Sequence, residues 1–277
     1  MNFLYVVWNV NPEIFSIGSL HIRWYGLLFA LGFIISYRIM GKFFKQAGFS
    51  DDHLDKLTIY VAIGTILGAR FGHVFFYEPH YYLAHPGEIL KIWHGGLASH
   101  GAAIGILLSL WIFSKYQKIS LIWLLDRVAI VVSVTGALVR IGNLMNSEIV
   151  GKATDVPWAF AFVRDNLERG FPEYYTRHPS QIYEAGFYFV LFIVLYYLLE
   201  KRNWHKKTGY TFSLFLILLF GFRFFIEFFK DVQVSFEQQM TIDMGQWLSI
   251  PFIVAGIGLW IYAKNHWQPS GTEHKTT

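Results

Sequence analysis

The chain has 277 residues, of which 54% are hydrophobic and 15% charged, whereas a soluble domain carries about 25% charged residues. That deficit excludes an ordinary soluble protein, and a net charge of +4 without a basic tract excludes the footprint of a nucleic-acid binder. Cysteine is absent, which removes disulfides, thiolate metal sites and a cysteine nucleophile.

No charged segment precedes an apolar core at the start of the chain, so no secretory signal peptide is expected. A membrane-spanning helix needs about 20 mostly apolar residues. Seven stretches qualify, at roughly 20–41, 57–77, 97–114, 119–143, 179–199, 209–229 and 245–263. The fold class they predict is an all-α integral membrane protein with about seven transmembrane helices. No internal repeat or low-complexity linker interrupts it, so residues 1–277 read as a single polytopic membrane domain. Within it, the long connection 144–178 is expected to form a small extracytoplasmic cap. Loop Lys and Arg number eleven on the side of the C-terminus and six on the other. The positive-inside bias then puts the N-terminus outside and the C-terminus in the cytoplasm. Gly64, Gly68 and Gly72 in the second span, with Gly101 and Gly105 in the third, have the spacing that lets helix backbones pack closely.

Six arginines and no lysine lie in or at the edge of the spans: Arg23, Arg38, Arg70, Arg127, Arg140 and Arg223. Each charge near a helix centre costs about 2.5–3.5 kcal/mol. Arg23, Arg38 and Arg127 are close enough to an end to snorkel. At about 1.5 Å per residue, Arg140 falls at the outer edge of the hydrocarbon. Arg223 lies in the outer half, with Glu227 one turn further on the same face. Arg70, His73 and Tyr77 share a face in the outer half of the second span. Tyr25, His100, Gln181, Glu184 and Gln246 open the helices that run inward from that side. Along the fourth span Asp126, Ser133, Gly136, Arg140, Asn143 and Ser147 form one stripe. The pattern predicts a polar pocket open to the outer leaflet. Structural readings stand beside it: an Arg223–Glu227 ion pair between helices, a satisfied buried His73, and Asp126 neutralising a nearby arginine. His100, in "GGLASHGA", has space cleared around it by small neighbours, which favours a functional role.

The planar fork of arginine binds phosphate in a bidentate way that lysine does not match. Several arginines in one leaflet without an acidic metal cage point to a lipid phosphate. No HExxH or serine-elbow motif is present, and Ser99 is too close in sequence to His100 to pair with it on one helix face.

Six motifs then carry a resemblance: "RWYG" at 23–26, "GGLASHG" at 95–101, "VRIGNLMNSEIVG" at 139–151, "RHPSQIYE" at 177–184, "FRFFIEFF" at 222–229 and "MGQWLSIP" at 244–251. In this order, from about residue 12 to 262, the chain resembles the bacterial prolipoprotein diacylglyceryl transferase family. The resemblance implies transfer of the sn-1,2-diacylglyceryl group from phosphatidylglycerol to the lipobox cysteine thiol of preprolipoprotein signal peptides, releasing glycerol phosphate. The setting it implies is the bacterial cytoplasmic membrane, with membrane lipid as a partner. It further implies that Arg140 binds the lipid head group, and it matches His100, Arg223, Glu227, Tyr25, Asn143, Asn146 and Gly151 to the family's functional positions. Two departures stand out. His94 occupies a place where many members carry an acid, and Leu219 and Phe220 occupy one where some have a tyrosine.

The expected catalytic residues are therefore His100, Arg140, Arg223 and Tyr25. The expected substrate-binding residues are Arg140, Asn143, Asn146, Glu148, Gly151 and Glu227, with no metal or cofactor. A thiolate would attack the sn-3 carbon. His100 serves as base, or an arginine lowers the thiol pKa and His100 positions. Arg140 and Arg223 would clamp the departing phosphate. A transporter or flippase for an anionic lipid is the alternative; it predicts polar groups through the inner half and inverted repeats. A purely structural scaffold leaves the cost of Arg70, Arg140 and Arg223 unexplained.

Overall fold

The computed structural model describes residues 5–18, 20–92, 95–231 and 242–266, so His94 lies outside the described residues. In chain order the elements are β1 (Val6–Trp8), β2 (Glu13–Ile17), β3 (Leu20–Arg23), α1 (Trp24–Gln46), α2 (Asp51–Phe76), α3 (Pro79–Ala84), α4 (Ser99–Gln117), α5 (Leu121–Met145), β4 (Phe160–Phe162), α6 (Val163–Glu168), β5 (Thr176–Arg177), α7 (Ser180–Lys201), α8 (Tyr210–Ile226) and α9 (Met244–Asn265). Among the described residues, six helices are long and apolar enough to cross a membrane. The remaining long helix, α4, has 19 residues and dilutes its apolar run with Ser99, His100, Ser109 and Ser114. The chain is an all-α multi-pass membrane protein. Where a first span was expected from about residue 20, the antiparallel hairpin of β2 and β3 comes first and α1 begins at Trp24.

Contacts divide the chain into two compact units, residues 1–36 with 126–277 and residues 37–125. In the second unit, α2 and α4 touch through glycines. A Cβ at Gly72 would lie 2.7 Å from Gly101 Cα, and one at Gly68 would lie 2.8 Å from Gly105 Cα. Only glycine permits that backbone contact. Arg70 belongs to the same unit and holds no open pocket. Buried at 2% exposure, it donates from Nε to the Ile89 carbonyl (2.9 Å) and from Nη1 to Gly95 (2.5 Å) and Gly96 (3.2 Å). Its Nη2 donates to the carbonyls of Glu88 and Lys91, and the guanidinium lies over the Tyr82 ring. His73 is half-buried, stacked on Tyr77 and 3.8 Å from the Glu78 carboxylate.

In the first unit, β1 pairs in parallel with β4, and β4 pairs antiparallel with β5. Trp8 Nε1 donates to the Leu144 carbonyl (2.9 Å), and Leu144, Val150 and Phe162 form a small core beneath it. Arg177 is buried between Asp165 (3.1 Å) and Asp231 (3.4 Å) and stacks on Phe171 and Tyr175. A buried cation is tolerated when its partners are this close. Asp126 plays a capping part: its carboxylate accepts the N–H groups of Gly209 (2.7 Å) and Phe212 (2.8 Å). Those are unsatisfied donors at the start of α8, where a negative charge is also favoured by the helix dipole. The polar stripe of α5 is therefore a buried seam. At its middle, Gly136 admits the Tyr188 ring of α7, since a Cβ there would already lie 3.2 Å from it.

Candidate active site

The site grows from the last turns of α5. Arg140 Nε lies 3.1 Å from Glu184 Oε2 on α7, a fully buried carboxylate. Arg140 Nη1 donates to Asn143 Oδ1 (3.2 Å) one turn along its own helix. Tyr188, one turn beyond Glu184, hydrogen-bonds the same guanidinium. Glu184 and Tyr188 are four residues apart and so present one face to α5.

Past Met145 the chain turns sharply. Ser147 and Ile149 have φ of +54° and +59°, and a β-branched residue there is a steric outlier costing about 1–3 kcal/mol. Several bonds hold the turn. The Glu148 N–H donates to the Asn143 carbonyl (3.0 Å). Gln181 Nε2 donates to the Glu148 carbonyl and Ser180 Oγ to the Ile149 carbonyl, both at 2.8 Å. Glu148 Oε1 thereby faces back into the site, accepting from Asn143 Nδ2 (2.8 Å) and Asn146 Nδ2 (3.1 Å). Tyr25 packs against Gly142, where a Cβ would fall 2.8 Å from its ring, and it lies within the electrostatic reach of Glu148 and Arg140.

The other half of the site comes from the end of α8. Arg223 Nη2 lies 3.8 Å from Glu227 Oε1, and Lys230 Nζ approaches the same oxygen to 3.1 Å. Glu227 acts electrostatically on Arg140, and Arg223 acts on Tyr188. Gly151 joins the halves: its N–H donates to the His178 carbonyl (2.9 Å), and it bridges to Lys230. A Cβ at Gly151 would lie 2.6 Å from both His178 Cβ and its carbonyl oxygen, so glycine is required there for packing. The structure thus brings Tyr25, Arg140, Asn143, Asn146, Glu148, Gly151, Arg223 and Glu227 into one cluster. Arg140, Arg223 and Lys230 oppose Glu148, Glu184 and Glu227 in it, so the formal charges cancel. His100 stands exposed in the first turn of α4 and belongs to the other compact unit.

Two arginines from separate spans, meeting through a tyrosine and a glutamate, fit an anionic lipid head group. Residues 12–262 match the family model described as prolipoprotein diacylglyceryl transferase. The chain belongs to that family. It is 47% identical over 254 residues to the phosphatidylglycerol–prolipoprotein diacylglyceryl transferase of Tolumonas auensis, covering 91% of this chain and 95% of the relative. It is 44% identical over 254 residues to the enzyme of the same name from Chloroherpeton thalassium, covering 91% and 92%. The corresponding protein of Bacteroides fragilis is 41% identical over 266 residues, covering 92% and 94%. Membership decides for the transferase and against the transporter alternative.

Three members of this transferase's cluster were not among the expected site residues: Glu184, Tyr188 and Lys230. Glu184 was visible as a polar group opening its helix, and the uncompensated charge of Arg140 demanded a carboxylate, but nothing in the chain order says which helix supplies it. His178 was passed over as well. Its Nδ1 lies 3.1 Å from the Tyr183 hydroxyl, which also accepts from Trp158 Nε1 (2.8 Å). Burial holds the His178 imidazole below its ordinary pKa of 6.5.

Proposed function

We propose that the chain transfers the sn-1,2-diacylglyceryl group of phosphatidylglycerol to the lipobox cysteine thiol of a preprolipoprotein signal peptide, with Arg140 and Arg223 clamping the lipid phosphate. As a family member it is a membrane transferase of lipoprotein biosynthesis. The observation that supports the assignment of roles is the shared cluster, in which Arg140 pairs with Glu184 (3.1 Å) and Arg223 faces Glu227 (3.8 Å).

In the step proposed, the thiolate sulfur attacks the sn-3 carbon and forms a C–S bond. The C–O bond to phosphate breaks, its electron pair goes to the phosphate oxygen, and glycerol phosphate leaves. Guanidinium groups stabilise the charge gained on that oxygen. Asn143 and Glu148 hold Arg140 in register, while Asn146, Tyr25 and Glu227 offer hydrogen bonds to the glycerol hydroxyls. Gly151 keeps the turn close enough to complete the cluster. The thiol proton goes to a base, a role for which imidazole is chemically suited near neutral pH, and His100 is assigned it. The leaving group is already on the lipid, so the reaction as written needs no cofactor.

The charge bias supports an N-terminus outside, a cytoplasmic C-terminus, and an extracytoplasmic cap from residues 144–178. Because the chain has no cysteine, single introduced thiols report this without background. An impermeant reagent on intact cells should label Thr154→Cys and spare Ser50→Cys; the reverse pattern would invert the topology.

The activity test incubates purified protein with phosphatidylglycerol and a lipobox peptide and reads the mass of the thiol, with a Cys→Ser peptide as control. Arg140→Ala should lose at least 100-fold while inserting normally, and near-normal transfer would remove Arg140 from the clamp. His100→Gln should flatten the acidic limb of the pH–rate profile; a modest loss with an unchanged profile would make it a positioning residue.

A further inference from the structure

We infer that a groove between α5 and α7 seats one hydrocarbon chain of the lipid substrate, and that Gly186 keeps it open; this rests on the function proposed above. The groove has a volume of about 420 Å³. Its walls are apolar: Ala137, Ile141 and Leu144 on α5, Ile182, Ala185 and Phe189 on α7. Gln181 is its polar edge, and the Gln181 amide is the group that holds the Glu148 carbonyl of the charged cluster.

Helical periodicity explains the juxtaposition. At about 100° per residue, Ala137, Ile141 and Leu144 occupy the face of α5 next to Arg140. Ile182, Ala185 and Phe189 likewise flank the face of α7 that carries Glu184 and Tyr188. The same two helices therefore present a phosphate-binding cluster and an apolar channel on neighbouring faces. A phospholipid has that layout, with its phosphate joined through glycerol to hydrocarbon.

The dimensions choose among apolar occupants. From Val134 to Leu144 the groove runs about 15 Å at 1.5 Å per residue. Spread over that length, its volume of ≈ 420 Å³ gives a mean width of about 6 Å, against about 10–12 Å for an α-helix with side chains. Carbon atoms in contact sit about 3.5–4.0 Å apart, so a single polymethylene chain fits and the helix of a signal peptide does not.

Gly186 offers a clean test, because no atom lies within 4 Å of a Cβ built there. A side chain added at this position enters open space rather than a packed neighbour, and replacing a mid-helix glycine favours the helix. The experiment compares wild type, Gly186→Leu and Gly186→Phe, each checked by thermal melting in detergent, on dioleoyl and dihexanoyl phosphatidylglycerol with one lipobox peptide. The expected result is a graded loss of kcat/KM for the dioleoyl lipid, reaching at least 10-fold in Gly186→Phe, with the dihexanoyl lipid within twofold of wild type. Equal effects on both lipids, or none on either, would overturn the inference. A rise confined to the KM for peptide would also overturn it and give the groove to the signal peptide. Wild type inactive on both lipids would sink the transferase reading itself, whereas an active wild type without a chain-length split in the variants would sink only the groove.

Discussion

Replacing Glu184 by glutamine removes one charge from the pair that holds Arg140 and changes little in shape. The two groups lie 3.1 Å apart, and the carboxylate is fully buried. At an effective dielectric of about 20, unit charges at that distance attract by about 5 kcal/mol, much of it offset by desolvation. A glutamine oxygen still accepts from Arg140 Nε, so the net loss is the difference between a charge-assisted and a neutral hydrogen bond, about 1–1.5 kcal/mol. If the lost order is felt in the transition state, transfer slows by about 5- to 12-fold. The variant also leaves the cluster with one uncompensated positive charge, which favours an incoming phosphate. The deficit should therefore appear in kcat, with the KM for phosphatidylglycerol unchanged or lower. The assay is steady-state transfer to a lipobox peptide with lipid concentration varied. A kcat within threefold of wild type, or a loss carried wholly by KM, would refute Glu184 as the group that sets Arg140.

Two further outcomes follow from the packing around the turn. Gly151→Ala forces a Cβ to within 2.6 Å of His178 and 2.7 Å of the Phe229 carbonyl oxygen, and backbone atoms there have little room to yield. An overpacking cost of about 1–3 kcal/mol is expected, seen as a lower melting temperature in detergent; an unchanged melt would contradict the contact. His178 is held below its ordinary pKa of 6.5 by burial, so the unfolded chain binds its proton more readily. Its stabilising contribution is present above about 6.5 and is lost as pH falls through the lower, folded value. Melting between pH 7 and pH 5 should fall more steeply in wild type than in His178→Gln, and parallel curves would exclude it.

The long helices were legible because a hydrocarbon core demands runs of apolar residues, and nothing else in a chain looks like them. The stripe from Asp126 to Ser147 was legible for a related reason: polar groups recurring at helical spacing inside an apolar run must face protein. What they face was not. The sequence offers Asp126 as a neutralising neighbour for an arginine, and the structure adds that it caps α8, through backbone N–H groups that leave no mark in a sequence. The parallel pairing of Val6–Trp8 with Phe160–Phe162 was out of reach too, since strands of three residues separated by most of the chain carry no periodic signal. Tyr25, Arg140 and Arg223 were placed at one level by counting along helices. That count has no lateral information, so it also swept in Arg70, which the structure gives to another task.

The grip of Arg70 on its loop has an evolutionary corollary. It seizes main-chain oxygens, at Glu88, Ile89, Lys91, Gly95 and Gly96, and every amino acid owns such an oxygen. Spelling at those positions is free to drift, apart from Gly95 and Gly96, whose backbones adopt φ +86° and +70°, the latter hard against the His73 ring. The loop's tally of residues is not free, because one inserted or deleted link would carry the carbonyls out of the guanidinium's grasp.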